Sequence, residues 1–143
     1  MSVSVQLTRD ADGKYTAHLG SAALPTVTWD PAALTPEQRQ EEHMGARLLL
    51  LSALACYVNT LAADLMTGGA QTVGEINATA DITKEKGSNL RTRFTSISIN
   101  VETPVAPADQ AAFTAARNGL LNGSLVTYSL EEEIELDYNI EAL

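Results

Sequence analysis

The chain has 143 residues, nine Lys and Arg against eighteen Asp and Glu, a formal net charge of −9, 45% hydrophobic residues and one cysteine. That length fits a single domain over residues 1–143, long enough to bury its own core, with no boundary expected. The acidic balance works against nucleic acid and anionic membranes as partners, both of which call for clustered Lys and Arg, and one cysteine excludes an internal disulfide.

The N-terminus MSVSVQLTRD has neither a basic region nor an apolar core of the kind that directs secretion, so a cytoplasmic location is expected. Its residues alternate, with Val3, Val5 and Leu7 on one face, and KYTAHLG repeats the pattern with Tyr15, Ala17 and Leu19 inward. Asp12-Gly13 between them favours a hairpin turn. A loop carrying Trp29-Asp30-Pro31 follows.

LTPEQ then has a helix-start signature: Thr35 as N-cap, Pro36 at the first helical position and Gln38 closing a capping box. Helical spacing runs on to Gly68-Gly69, a natural stop, giving one helix of about 30 residues unless it bends near Gly45. The apolar run over 48–58 is bounded by Arg47 and broken by Asn59 and Asp64, short of the roughly 20 residues a bilayer needs. It predicts a buried helix, apolar almost all round, with its leucine side (Leu48, Leu51, Leu54, Val58, Leu61, Leu65) on the core. So short a chain hardly covers such a helix alone, and a second copy is the expected cover.

Gly74, Ile76, Ala78, Ala80 and Ile82 share a face of one predicted strand, and Ile97, Ile99 and Val101 of the next, joined through 84–89. A shorter helix runs from about Pro107 to Leu121 with Phe113, Ala116 and Leu120 at core spacing. The last strand sends Ile134, Leu136, Tyr138 and Ile140 inward and leaves Glu133, Glu135 and Asp137 on a solvated face. The order β-β-α-β-β-α-β predicts an α+β fold with an antiparallel sheet and a long buried central helix.

No phosphate-binding glycine loop, HExxH, CxxC or GxSxG occurs, so no cofactor and no metal are expected. His18 has the outward parity of its strand and His43 sits in a polar turn. Attention falls on Cys56. Its helical neighbours three and four residues away are Ser52, Ala53, Asn59 and Thr60, a small and partly polar stripe where another molecule can approach closely.

LLLLSALAC with Thr60 four residues on, followed by two strands, a helix and SLVTYSL before a final strand, resembles the OsmC/Ohr family of hydroperoxide-reducing proteins. The similarity in element order covers nearly the whole chain, with motif likeness concentrated in 45–69 and 120–130. It implies an intertwined homodimer whose central helices bury one another. It also implies a reactive thiolate on that helix, mapped onto Cys56, a resolving cysteine at the start of a CPVxxTL-like segment, and an Arg and a Glu beside the sulfur. Here Ser124 stands where the resolving cysteine belongs and Leu125 where proline does. The acidic position ten residues before Cys56 is Ala46, next to Gly45 in place of proline. Glu42 lies fourteen residues from Cys56, about 21 Å along a straight helix, and substitutes only if the helix breaks.

The resemblance maps the family's arginine onto Arg9, followed by Asp10; Arg47, Arg91 and Arg93 are other sources of positive charge. Such a cation matters because a thiol attacks as its thiolate, which a guanidinium favours and apolar burial disfavours. The implied function is a one-cysteine, thiol-dependent reductase of small apolar hydroperoxides in oxidative-stress defence. Cys56 and Arg9 would be catalytic, Ser52, Asn59, Thr60 and Ser124 would line the ligand, and an external thiol would resolve the sulfenic acid. The alternative is a non-catalytic dimer of the same fold, structural or holding a small ligand.

Overall fold

The structure, a computed structural model, describes residues 2–143. The chain divides into two compact units, residues 1–44 and 45–143.

In the N-terminal unit, β1 (Gln6–Arg9), β2 (Tyr15–His18) and β3 (Val27–Trp29) form an antiparallel sheet in that order. The predicted turn closes the first hairpin: Gly13 takes φ 90°, open to glycine at little cost, and the Asp10 carboxylate accepts from the backbone N–H of Asp12 and Lys14. The sequence reading placed β3 in a loop; it pairs with β2, and Trp29 stacks on Tyr15 with ring centroids 5.3 Å apart. The expected inward face of the first strand is corrected too. Val3 and Val5 lie before β1, and both are exposed, as is Leu7 at 55%.

α1 (Pro36–Gln40) starts on the expected capping box, Thr35 Oγ1 accepting from the Gln38 N–H and Gln38 Oε1 from the Thr35 N–H. It does not continue into the next helix. The chain breaks at Glu41–His43, with His43 at φ 47°, and α2 (Met44–Thr67) begins afresh. The single helix of about 30 residues is therefore two.

In the C-terminal unit, α2 ends where expected: Gly69 takes φ 90° and the Ala70 N–H reaches back to the Leu65 carbonyl, a Schellman-type closure. Ala53, Tyr57, Leu61 and Leu65 are buried, with Leu50 and Leu54 packed against them. The predicted core side is thus rotated: Leu48 and Leu51 are 48% and 62% exposed. At 24 residues α2 is long and apolar enough to cross a membrane by length and composition, contrary to the expectation from its apolar run, yet one stripe of it is the core of this unit.

β4 (Asn77–Lys86), β5 (Thr92–Thr103) and β6 (Glu135–Ala142) form the second sheet in that order. Ile97, Ile99, Val101 and Ile140 are buried in one core with the α2 stripe and with Phe113, Ala116 and Leu120 of α3 (Gln110–Leu120), as the spacing predicts. Each of the larger aliphatic side chains and Phe113 contributes about 1.5–3 kcal/mol on burial. The expectation of an antiparallel sheet is corrected: β4 and β5 are antiparallel, but β6 runs parallel to β5. The long crossover between them, holding α3 and α4 (Leu125–Leu130), allows the parallel return. α4 falls on SLVTYSL, where no helix was expected.

Candidate functional site

Cys56 is half-buried. At 100° per residue it lies on the flank of α2, between the buried stripe of Ala53, Tyr57, Leu61 and Leu65 and an exposed one of Leu48, Ser52, Ala55, Asn59 and Met66. Cys56 is therefore at the border of the core and an exposed, partly polar face. Ser52 and Asn59 are exposed beside it, as the helical spacing predicts. Thr60 is also on this flank, but its hydroxyl donates to the Cys56 carbonyl at 2.9 Å and is committed to the helix backbone.

Tyr57, the next residue, points into the core with no exposed surface and donates from its hydroxyl to the Leu120 carbonyl at 2.8 Å. Its ring stacks on Tyr138 of β6 at 5.2 Å, and the Tyr138 hydroxyl donates to Glu131 Oε1 at 2.7 Å. Burial pushes the Tyr57 phenol well above its ordinary range, with Tyr138 adding and Arg117 partly offsetting. The Tyr138 phenol is pushed up to about 12, first by burial, with the Thr127 hydroxyl opposing and the Glu131 carboxylate adding.

Gly123, at φ 87°, sits in this cluster: a Cβ there would lie 2.9 Å from Glu131 Oε1, 3.0 Å from the Tyr138 hydroxyl and 3.1 Å from Thr127 Oγ1. Ser124 follows, only 4% exposed, its N–H donating to Thr127 Oγ1 at 2.8 Å as the chain enters α4. A run of contacts through Tyr57, Tyr138 and Glu131 thus connects the residue beside Cys56 with the segment holding Ser124. Sequence reasoning missed this cluster; the one available signal was a tyrosine next to the cysteine at core spacing.

Arg9 belongs to the N-terminal unit. It lines a cleft there with Tyr15, Arg39, Glu42, His43 and Met44, and its guanidinium lies against the hairpin turn, 3.3 Å from where a Gly13 side chain would begin. Glu42 lines the same cleft, next to the break between α1 and α2. Of the other arginines considered, Arg93 is bonded to the Glu133 carbonyl at 2.7 Å and its carboxylate at 3.3 Å, Arg91 sits at the tip of the β4–β5 hairpin, and Arg47 is exposed in the first turn of α2.

No family profile matches this sequence, and no curated protein matches it. Solved structures do. An OsmC-like protein from Mycoplasma pneumoniae superposes with a TM-score of 0.75 at 12% identity, covering 100% of this chain and 98% of that one. The organic hydroperoxide resistance protein OhrB of Bacillus subtilis gives 0.60 at 10% identity, over 99% and 98%. The organic hydroperoxide resistance protein OsmC of Legionella pneumophila, a predicted redox protein, gives 0.61 at 7% identity, over 99% and 98%. The fold is therefore OsmC-like, and the expected α+β class holds.

Proposed function

We propose that this protein is a one-cysteine, thiol-dependent organic hydroperoxide reductase acting in cytoplasmic oxidative-stress defence. The observation that carries this reading is the position of Cys56: half-buried on the flank of the central helix of an OsmC-like fold, beside an exposed, partly polar face rather than inside the core. The hydroperoxide-resistance names among the structural neighbours point the same way.

The Cys56 thiolate attacks the outer oxygen of R–O–O–H. A sulfur–oxygen bond forms, the peroxide O–O bond breaks, and the electron pair leaves on the alkoxide, which takes up a proton to become R–OH. Sulfur is oxidised to the sulfenic acid and the peroxide is reduced. Because Ser124 cannot form a disulfide, an external thiol condenses with the sulfenic acid, releasing water and leaving a mixed disulfide. A second thiol then frees Cys56 and carries away the external disulfide.

The family resemblance makes Arg9 the residue to test as the cation that favours the thiolate; it shares its own cleft with Glu42. Ser52 and Asn59 border the approach of a small apolar hydroperoxide, and Ser124 lies beyond the tyrosine pair. A second copy of the chain covers the open face of α2.

The test is consumption of an organic hydroperoxide in the presence of a dithiol. Wild-type protein is expected to turn over, Cys56→Ser to lose all activity, and Arg9→Ala to lose ~10-fold or more, as loss of a charge that favours the attacking form implies. A folded wild-type protein with no turnover would leave the same fold acting as a ligand-binding or structural dimer.

A further inference from the structure

The β4–β5 hairpin carries charge opposite to that of the chain as a whole. Four of the nine Lys and Arg, namely Lys84, Lys86, Arg91 and Arg93, fall within ten residues that hold one acid, Glu85. Arg93 faces Glu85 across the strands and binds Glu133. Lys84 and Lys86 stand opposite Phe94 and Thr92, so they project together from the other face, and both are exposed, as is Arg91.

At the tip is Leu90, 76% exposed and at φ 63°. Left-handed backbone is costly for a bulky side chain and nearly free for Gly or Asn. The turn nevertheless fixes it there: the Leu90 N–H donates to the Gly87 carbonyl at 2.9 Å, the Gly87 N–H to the Arg91 carbonyl at 2.8 Å, and the Arg91 N–H to Asn89 Oδ1 at 3.0 Å. An apolar side chain is held outward at a strained position, flanked by cations. Strain of this kind persists only where the surroundings hold it, as the hydrogen bonds of this turn do.

We propose that this tip is an anchor for anionic phospholipid surfaces, Leu90 entering the headgroup boundary while Lys84, Lys86 and Arg91 meet lipid phosphates. A phospholipid surface fits because it sets a hydrocarbon layer behind an anionic one, whereas nucleic acid offers phosphate without an apolar layer of that depth. The acidic remainder of the chain is repelled by the same surface, so contact is confined to the hairpin and is weak and salt-sensitive. The overall charge argues against a membrane partner; the local charge at this tip reverses the argument.

Co-sedimentation of the full chain with phosphatidylglycerol-rich vesicles, against pure phosphatidylcholine vesicles at low ionic strength, tests this. Binding is expected to the anionic vesicles alone and to vanish at high salt. Leu90→Asn, which relaxes the turn while removing the anchor, should weaken partitioning about tenfold, and each of Lys84→Glu and Lys86→Glu by at least about fivefold, with unchanged circular dichroism. Absence of wild-type protein from the anionic pellet, a Leu90→Asn variant that binds as wild type, or a preference for duplex DNA or polyglutamate over vesicles would overturn the proposal.

Discussion

Tyr57 and Tyr138 stack face to face, with ring centroids 5.2 Å apart and planes 10° from parallel, and this contact joins the central helix to the last strand. Both phenols are held in their neutral form, chiefly by burial. A phenol whose folded pKa is raised binds its proton more tightly in the folded state, so its contribution is complete below the unfolded value near 10 and is lost as pH climbs through the folded value. Stability is therefore expected to hold up to about pH 10 and to fall across the interval to about 12, where Tyr138 titrates, and beyond it. Denaturant midpoints measured from neutral to alkaline pH should show this decline, and Tyr138→Phe should flatten it. A decline already complete below pH 9 or so would contradict the assignment.

Gly123 and Gly119 should respond in opposite directions to alanine. Gly123 is left-handed, and its Cβ would meet Glu131 Oε1 at 2.9 Å and the Tyr138 hydroxyl at 3.0 Å. Gly119 is helical, with open space where a side chain would go. Gly123→Ala is expected to destabilise by about 2 kcal/mol or more, from backbone strain and disruption of the cluster together. Gly119→Ala should stabilise by about 0.5–1 kcal/mol. Chemical denaturation of the two variants checks both signs.

Much of this architecture was legible in the residues because local chemistry specifies it. The Thr35–Gln38 box, the Asp12-Gly13 turn, the stop at Gly68-Gly69 and the core positions Ile97, Ile99, Val101, Phe113, Ala116 and Leu120 all appear where pattern and turn chemistry place them. What was hidden depends on tertiary context. Glu41, Glu42 and His43 contain no Gly or Pro, so the break between α1 and α2 leaves no mark in composition. A helix apolar all round gives no sign of which side meets the sheet, and Leu48 and Leu51 were assigned to the wrong one. Strand direction is equally silent, which is why β6 was misread as antiparallel. The cysteine stood out by being alone; the Tyr57–Tyr138–Glu131 cluster did not, because it forms only when distant segments pack.

Ser124 occupies the position that the family resemblance gives to a resolving cysteine, buried at the entry to α4. Restoring that chemistry is a direct check. In Ser124→Cys, one equivalent of organic hydroperoxide should produce a disulfide between Cys56 and the new thiol, seen in peptide mapping as a cross-linked peptide pair that reductant separates. Two separately oxidised cysteines with no bridge would show that the two positions do not approach within the Cα separation of roughly 4.4–6.8 Å that a disulfide demands.

Leu48, Leu51 and Met66 are 48%, 62% and 62% exposed along one side of α2. Each large apolar side chain taken from water in a dimer contributes about 1.5–3 kcal/mol. Sedimentation at micromolar concentration should find wild-type dimer, and Leu51→Arg should shift it toward monomer by placing a charge in the covered face. A wild-type monomer at that concentration would contradict the proposed cover.

The most direct measurement is chemical trapping in a single turnover. Reduced protein is given one equivalent of organic hydroperoxide without any thiol, quenched with a dimedone-type probe, and mapped by mass spectrometry. The probe is expected on Cys56, with one equivalent of the corresponding alcohol released. Folded protein that leaves the hydroperoxide intact and carries no adduct at Cys56 would contradict the assignment of peroxidase chemistry to this sulfur.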